Sequence, residues 1–351
     1  MNERFCGRQV ESRRISMVTL KDIAKKTNLS VTTVSRVVNF NDTSVCSEET
    51  QKLIWSLVES MNYKVKGKKS VAAEKPQTAY KLAYVLGLSS YASQGSYGYH
   101  IIKGIESEAV KKGIPIAFNC LDLDLYKPSE LCDKLEELGV DAIIWVAGTN
   151  PDYFNKLKSK NIQVTIAGIE PKLIPDYVDY VGIDFYADTL GWLKTKLVSR
   201  FEKTAFIGSK TSSRFQAFVD AHKLLGKELR PEFIIEHEDW EIESAKSAMT
   251  AFLERSEELP EAVFAASDLI AIGSMHAFRE KGIQLPEQVK ILGFDNNEMG
   301  GYLSPGLTTI SVPTFEIGVM AVQAAISKLR EEREFPIRYI LPTNYVERQS
   351  L

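Results

Sequence analysis

The chain has 351 residues, enough for two or three domains, an apolar share ordinary for a globular protein and a formal net charge of −3. No apolar run is long enough to span a membrane, the N-terminus lacks the apolar core of a secretory leader, and the four cysteines (Cys6, Cys46, Cys120, Cys132) have no CxxC spacing. These features argue against a membrane protein, an exported protein and a disulfide or zinc scaffold, and the expected compartment is a reducing cytoplasm. The charge is uneven: residues 1–75 carry 14 Lys+Arg against 8 Asp+Glu, and the remainder carries 29 against 38. A basic head on an acidic body suits a protein that meets phosphate at one end only.

In chain order, the first predicted elements are two short helices around a polar turn in TLKDIAKKTNLSVTTVSRVVN, residues 19–39. Thr19 is an N-cap that Asp22, three residues on, can close into a capping box. Leu20, Ile23 and Ala24 share one apolar face. The helix breaks at Thr27-Asn28, and Ser30 caps a second helix whose apolar residues are Val34, Val37 and Val38. Val31, Thr32, Thr33, Ser35 and Arg36 are left facing outward. A third helix begins at Ser47-Glu48-Glu49-Thr50, with Ile54, Trp55, Leu57, Val58 and Met61 on its core face. Three such helices can share a small core, and a helix–turn–helix lays its second helix in the major groove of DNA.

Residues 64–79, KVKGKKSVAAEKPQTA, contain five lysines and almost no large apolar side chain, the composition of a solvated tether. Beyond Lys81 strands alternate with helices. Strands are predicted at 82–86, 114–118, 141–147 and 162–167, with helices at 99–112, 129–138 and 152–160. A second series begins near Val181. It has strands at 204–208, 233–237, 262–267 and 289–294 and helices near 185–200, 213–226, 242–256 and 268–281. Alternating βα units imply parallel sheets covered by helices on both faces. The expected fold is an all-α helix–turn–helix head plus an α/β body of two doubly wound parallel-sheet lobes. Ligands in such lobes bind beyond the carboxyl ends of the strands.

The run from Val18 to Tyr63 resembles the DNA-binding head of the lac repressor/galactose repressor family, most of all in Thr-Val-Ser-Arg-Val-Val-Asn at 33–39 and Ser-Glu-Glu-Thr at 47–50. The resemblance continues through Phe264-Ala-Ala-Ser-Asp-Leu-Ile-Ala-Ile-Gly273, Leu292-Gly-Phe-Asp-Asn296 and Tyr345-Val-Glu-Arg-Gln-Ser350, and so covers nearly everything after Met17. Tyr97 ahead of Lys103-Gly-Ile-Glu106 gives a weaker likeness to repressors of galactose and β-galactoside genes. The family's Gly-His before the first strand of the second lobe is replaced here by Phe201-Glu202.

The resemblance implies a body shaped like periplasmic binding proteins. It divides the chain into an extension (1–16, a disordered tail or a start assigned upstream of Met17), a head (17–63), a hinge (64–79) and a body (80–351). Three crossings, near 177–181, 308–312 and 338–342, would separate lobe 1 (about 80–178 and 311–339) from lobe 2 (about 180–309 and 341–351). In the family the hinge often folds on DNA and wedges a leucine into the minor groove. Val71-Ala72-Ala73 stand at that place, without a leucine, and Gly67 weakens a helix. Lys64, Lys66, Lys68 and Lys69 can still hold phosphates.

Val31 and Thr32 are expected at base edges, Arg36 at a guanine edge or a phosphate, and Ser30, Thr33 and Asn39 on the DNA backbone, with Thr19 also among the DNA-binding residues. The effector residues implied by the resemblance are Arg214, Asp295, Ser267, Asp268, Trp240 and Tyr97, all near strand ends. Arginine and aspartate suit hydroxyls, and an aromatic plate suits a sugar ring. Three of them have a plainer reading: Trp240 as a core tryptophan, Arg214 as a surface arginine and Asp268 as a helix N-cap.

No enzymatic chemistry is expected. Gly208-Ser-Lys210-Thr211 lacks the phosphate-loop glycine, no nucleophile elbow occurs, and His100, His222, His237 and His276 have no metal-ligand spacing. No cofactor or metal is expected. The reading is a repressor of a sugar-utilisation operon, homodimeric and without the C-terminal heptads of a tetramer, released from operator DNA by a sugar, galactose or a galactoside first. The alternatives are a corepressor- or partner-dependent regulator of the same family and, from another class, a transporter's solute-binding protein.

Overall fold

The computed structural model describes residues 18–40, 45–61, 63, 80–87, 96–148, 150–170 and 174–351. The chain divides into two compact units, Met1–Glu74 and Lys75–Leu351.

The head is three helices, α1 (Leu20–Thr27), α2 (Val31–Phe40) and α3 (Glu48–Ser60). α1 ends because Asn28 turns left-handed, at φ 54°, and its N–H closes back on the Ala24 carbonyl. Ile23, Ala24, Val34, Val37, Val38, Ile54 and Val58 form a shared buried core, with Leu20, Trp55, Leu57 and Met61 packed around it. Each buried Val or Ile contributes about 1.5–3 kcal/mol, which no single helix of this length could gather alone.

The first lobe of the body runs β1 (Leu82–Leu86), α4 (Ser96–Lys112), β2 (Ile116–Cys120), α5 (Pro128–Glu137), β3 (Ala142–Val146), α6 (Pro151–Ser159), β4 (Gln163–Ala167) and β5 (Asp179–Gly182). The second runs α7 (Phe185–Trp192), β6 (Thr204–Gly208), α8 (Ser213–Leu225), β7 (Ile234–Glu236), α9 (Ile242–Arg255), β8 (Ala262–Ala265), α10 (Asp268–Glu280), β9 (Lys290–Asp295), α11 (Glu298–Gly301) and β10 (Thr308–Ser311). The chain then returns through α12 (Thr314–Leu329) and β11 (Arg338–Ile340), and closes with β12 (Asn344–Val346).

Two six-stranded sheets result, ordered β11-β5-β4-β3-β1-β2 and β12-β10-β9-β8-β6-β7. Every neighbouring pair is parallel except β10 and β12. All five residues of β1 and of β3 are buried, as continuous apolar runs covered on both faces must be.

Most boundaries shift by a residue or more from the sequence expectation, and two shifts change how the lobes are built. β2 starts at Ile116 rather than 114, because the end of α4 consumes Ile114: its N–H bonds the Ala109 carbonyl at 2.9 Å, across the left-handed Gly113. The sequence places the first crossing near 177–181, with lobe 2 starting about 180, and predicts no strand there. The segment instead forms β5, which completes the first sheet, where Val181 pairs with Ala167 and Gly182 with Ile340. The crossing therefore follows Gly182. The third crossing occupies 341–343, between β11 and β12.

The return into the first lobe is tightly held. A Cβ on Gly318 of α12 would lie 2.0 Å from the Ile101 carbonyl oxygen of α4, so these helices pack at backbone contact. Arg333, just past α12, grips the buried Asp179 carboxylate with both terminal nitrogens (Nη1–Oδ1 2.8 Å) and donates to the Ala324 carbonyl at 2.8 Å. Among the described residues, no helix is long and apolar enough to cross a membrane.

Candidate DNA-binding face and effector cleft

On the head, the residues that miss the core define one face. Val31 is 41% exposed, and Thr32 and Arg36 are exposed beside it on the first turns of α2. Ser30 caps this helix: its hydroxyl accepts the Thr33 N–H at 3.0 Å and lies 2.8 Å from the Thr33 hydroxyl. Thr19 stands at the start of α1, where its N–H and hydroxyl donate to Asp22 Oδ2 at 2.8 and 2.7 Å. Those bonds, the hydroxyl's first, hold the Asp22 carboxyl below its usual range. The polar groups expected to touch DNA thus sit where two helix N-termini open to solvent, with side chains already oriented by capping. Lys64 and Lys66 lie outside the described residues, as does the side chain of Asn39.

In the body, four of the six expected effector residues converge between the sheets. Arg214, in the first turn of α8, is only 8% exposed. Its Nη1 donates to the Ala266 carbonyl at 2.8 Å. The guanidinium lies 4.7 Å from the ring centres of Phe185 and Phe294 and 5.2 Å from that of Trp240. A delocalised cation among three rings is held by cation–π attraction without a carboxylate clamp. Its Nε has no partner and no solvent contact.

Asp295 ends β9 with φ at 109°, a conformation in which non-glycine residues are strained. Its Oδ1 is likewise sealed from solvent and unpartnered. Burial pushes this carboxyl up to about 7, against the opposing pull of Arg214. Tyr97 enters from the first lobe, in the first turn of α4, and its hydroxyl donates to the Gly168 carbonyl at 3.1 Å. Burial raises the Tyr97 hydroxyl well above its ordinary range; the Asp295 charge adds to the rise and Arg214 opposes it.

Trp240 is 37% exposed, on the loop between β7 and α9. That loop is stapled by Asp239, whose Oδ1 accepts the Glu241 N–H at 2.9 Å, the Ser244 hydroxyl, and His237 Nε2 at 3.1 Å. Partial burial pushes the Asp239 carboxyl up, but these hydrogen bonds outweigh it and leave it lowered. His237 is itself buried and forms part of this staple.

Ser267 and Asp268 correct the sequence expectation. Ser267 is 2% exposed, and its hydroxyl accepts the Ile270 N–H at 3.3 Å, capping α10. Asp268 is fully buried, with Oδ2 accepting the Asn297 N–H at 2.6 Å and Oδ1 accepting the Thr309 hydroxyl at 2.6 Å. Both oxygens bind the scaffold that carries Asp295. A Cβ at Gly293 would lie 2.1 Å from Asp268 Oδ1, so the Gly-Phe-Asp run of β9 needs its glycine for this close approach. Burial first, and the Asp295 charge second, raise the Asp268 carboxyl well above the usual range.

Three participants escaped the sequence reading. Phe185 and Phe294 look like ordinary core phenylalanines in an apolar run. Glu170, an isolated acid after β4, gives no local signal at all. Among the described residues no group of side chains could hold a metal ion.

Residues 19–65 match the family described as bacterial regulatory proteins, lacI family, and residues 197–351 match the periplasmic binding protein-like domain. The chain thus carries a lacI-family helix–turn–helix domain and a periplasmic-binding-protein-like domain. It is 28% identical over 328 residues to the HTH-type transcriptional repressor PurR of Aliivibrio fischeri (strain MJ11), covering 90% of this chain and 93% of that one. It is 26% identical to PurR of Proteus mirabilis over 344 residues, covering 95% and 97%.

Among solved structures it is similar to a putative transcriptional regulator LacI from Bacillus cereus subsp. cytotoxis (25% identity, TM-score 0.68, 78% of this chain and 98% of that one). It also shares its fold with a transcriptional regulator CelR–cellobiose complex (21% identity, TM-score 0.68, 95% and 99%). A lac repressor dimer bound to operator and the anti-inducer ONPF is similar over the same shares, at 19% identity and TM-score 0.65. These relatives are regulators rather than enzymes, and together with the lacI-family helix–turn–helix match they support a DNA-binding transcriptional repressor.

Proposed function

We propose that this repressor binds its operator as a homodimer in the cytoplasm and that a small polyhydroxylated ligand, held between the two lobes of the body, sets its operator affinity. The observation that carries this reading is the unmet pair inside the aromatic box. Arg214 offers a donor and Asp295 an acceptor, both without protein partners, beside the faces of Phe185, Phe294 and Trp240. Vicinal hydroxyls donate to Asp295 and accept from Arg214, while the apolar face of a sugar ring lies against Trp240. Tyr97 supplies the facing wall. Ligand bound between lobes changes their angle and hence the spacing of the two heads. A preference of a few kcal/mol for one geometry is enough to release DNA.

The cellobiose complex of a similar fold favours a sugar. A second reading, a purine-answering regulator whose ligand strengthens DNA binding, is favoured by the relatives named PurR. Fluorescence anisotropy on DNA from upstream of this gene, titrated with a panel of neutral sugars and of purine bases, separates the two. Release by one sugar is the expected result. Tightening by a purine base would move the assignment to the second reading, and no response to either class would sink both.

A further inference from the structure

Glu170 follows β4 in the first lobe, yet its carboxylate is bonded to the second. The Ser213 N–H donates to Oε1 at 2.9 Å and the Ser213 hydroxyl to Oε2 at 2.7 Å. Ser213 is the first residue of α8, a 13-residue helix, so the carboxylate takes the first N–H at the positive end of the helix dipole, while the Ser212 hydroxyl caps the Phe215 N–H. The segment that carries Glu170 is fixed by the hydroxyl of Tyr97 on the Gly168 carbonyl (3.1 Å) and by that of Tyr180 on the Ile169 carbonyl (2.6 Å). The residue after Ser213 is Arg214. One side chain therefore ties the wall that carries Tyr97 to the wall that carries Arg214.

This contact has an electrostatic consequence. The N-terminus of α8 is the feature of the cleft best able to attract an anion, and it is already filled from within. Around the cleft Arg214 is a cation and Asp295 and Glu170 are carboxylates, and the hollow beside the helix end adds Asp184 and Lys210. A hollow of about 460 Å3 adjoins the helix end, bordered by Asp184, Tyr186, Lys210, Ser213 and Gln216, so there is room for a ligand group. Lys210 on its rim is engaged with Glu236 at 2.9 Å. An incoming phosphate or carboxylate would compete with Glu170 for the same donors and be repelled by it.

We propose that Glu170 is a specificity-determining residue, a built-in anion that caps α8 from the facing lobe, so that the cleft closes over an uncharged effector and turns away phosphorylated or carboxylate-bearing ones. This rests on the reading of the cleft as an effector site. The test uses full-length wild type, Glu170→Ala and Glu170→Gln, with sodium sulfate as the probe anion and sodium chloride holding ionic strength constant. In thermal unfolding, wild type is expected to show only the gradual, non-saturating stabilisation that sulfate gives any folded protein. Glu170→Ala is expected to gain a saturable, sulfate-specific stabilisation, its apparent sulfate affinity rising at least about tenfold above wild type. Glu170→Gln keeps the shape without the charge and should respond in the same direction, which preserves the test if the alanine variant does not fold. An identical sulfate response in wild type and the folded variants would overturn the proposal. A purely structural role for Glu170 would lower the unfolding temperature equally in both salts. Wild type that binds no neutral sugar would instead sink the effector reading and leave the sulfate comparison standing.

Discussion

Replacing Asp268 with alanine separates a scaffold role from a ligand role. The substitution strands two donors in a site with no solvent contact: the Asn297 N–H and the Thr309 hydroxyl, each now bonded at 2.6 Å. An unsatisfied buried donor costs about 1–3 kcal/mol, so the pair costs about 2–6. Part of this is offset, because a carboxyl that burial and Asp295 hold well above its usual range is itself costly to bury when charged. The net expectation is about 2–4 kcal/mol off the stability of the body, read from urea unfolding followed by tryptophan fluorescence. Asp268→Asn offers an oxygen to Asn297 and an amide donor to Thr309, and should lose under about 1 kcal/mol. Effector affinity should fall modestly in the alanine variant, through the loop that carries Asp295, and hardly at all in the asparagine variant. Near-native stability in Asp268→Ala together with lost effector binding in both variants would refute the scaffold assignment and restore Asp268 to the ligand set.

Two further outcomes follow from the same geometry. Because the folded-state value of Asp295 is raised to about 7, the folded body carries the cost of a buried charge above that pH. It sheds the cost as pH falls through 7 towards the unfolded value near 4, so this residue contributes a rise in stability on acidification from pH 8 to 5. Asp295→Asn, which tolerates the positive φ, should be more stable than wild type at pH 8 and show a flatter dependence of unfolding temperature on pH. Equal slopes in the two proteins would remove Asp295 as the cause. On the head, Arg36→Ala should weaken operator binding by roughly 10- to 100-fold in an anisotropy titration, the worth of one good base contact, with the body's unfolding unchanged. Unaltered operator affinity would mean that α2 is misplaced in the groove.

The sequence by itself determined the head almost completely. Its signals are local: a cap at Thr19 and Ser30, a break at Asn28, and apolar residues at helical spacing that became the buried core of Ile23, Val34, Val37, Val38, Ile54 and Val58. It also determined the alternation of strands and helices in the body, since strands covered on both faces must be written as unbroken apolar runs. In the head, where the caps and breaks act within one turn, short-range chemistry was enough.

Only the tertiary structure decided which strand-end side chains face open space and which are consumed. Ser267 and Asp268 carry the same polar chemistry as Arg214 and Asp295. The difference is that their partners, Ile270, Asn297 and Thr309, complete their hydrogen bonds inside the lobe. The aromatic box around Arg214 gathers Phe185, Trp240 and Phe294 from three separated stretches, and Glu170 meets Ser213 across 43 positions of chain. No spacing rule connects residues that distant, because their proximity is set by the packing of two sheets and the crossings between them rather than by the geometry of any one element.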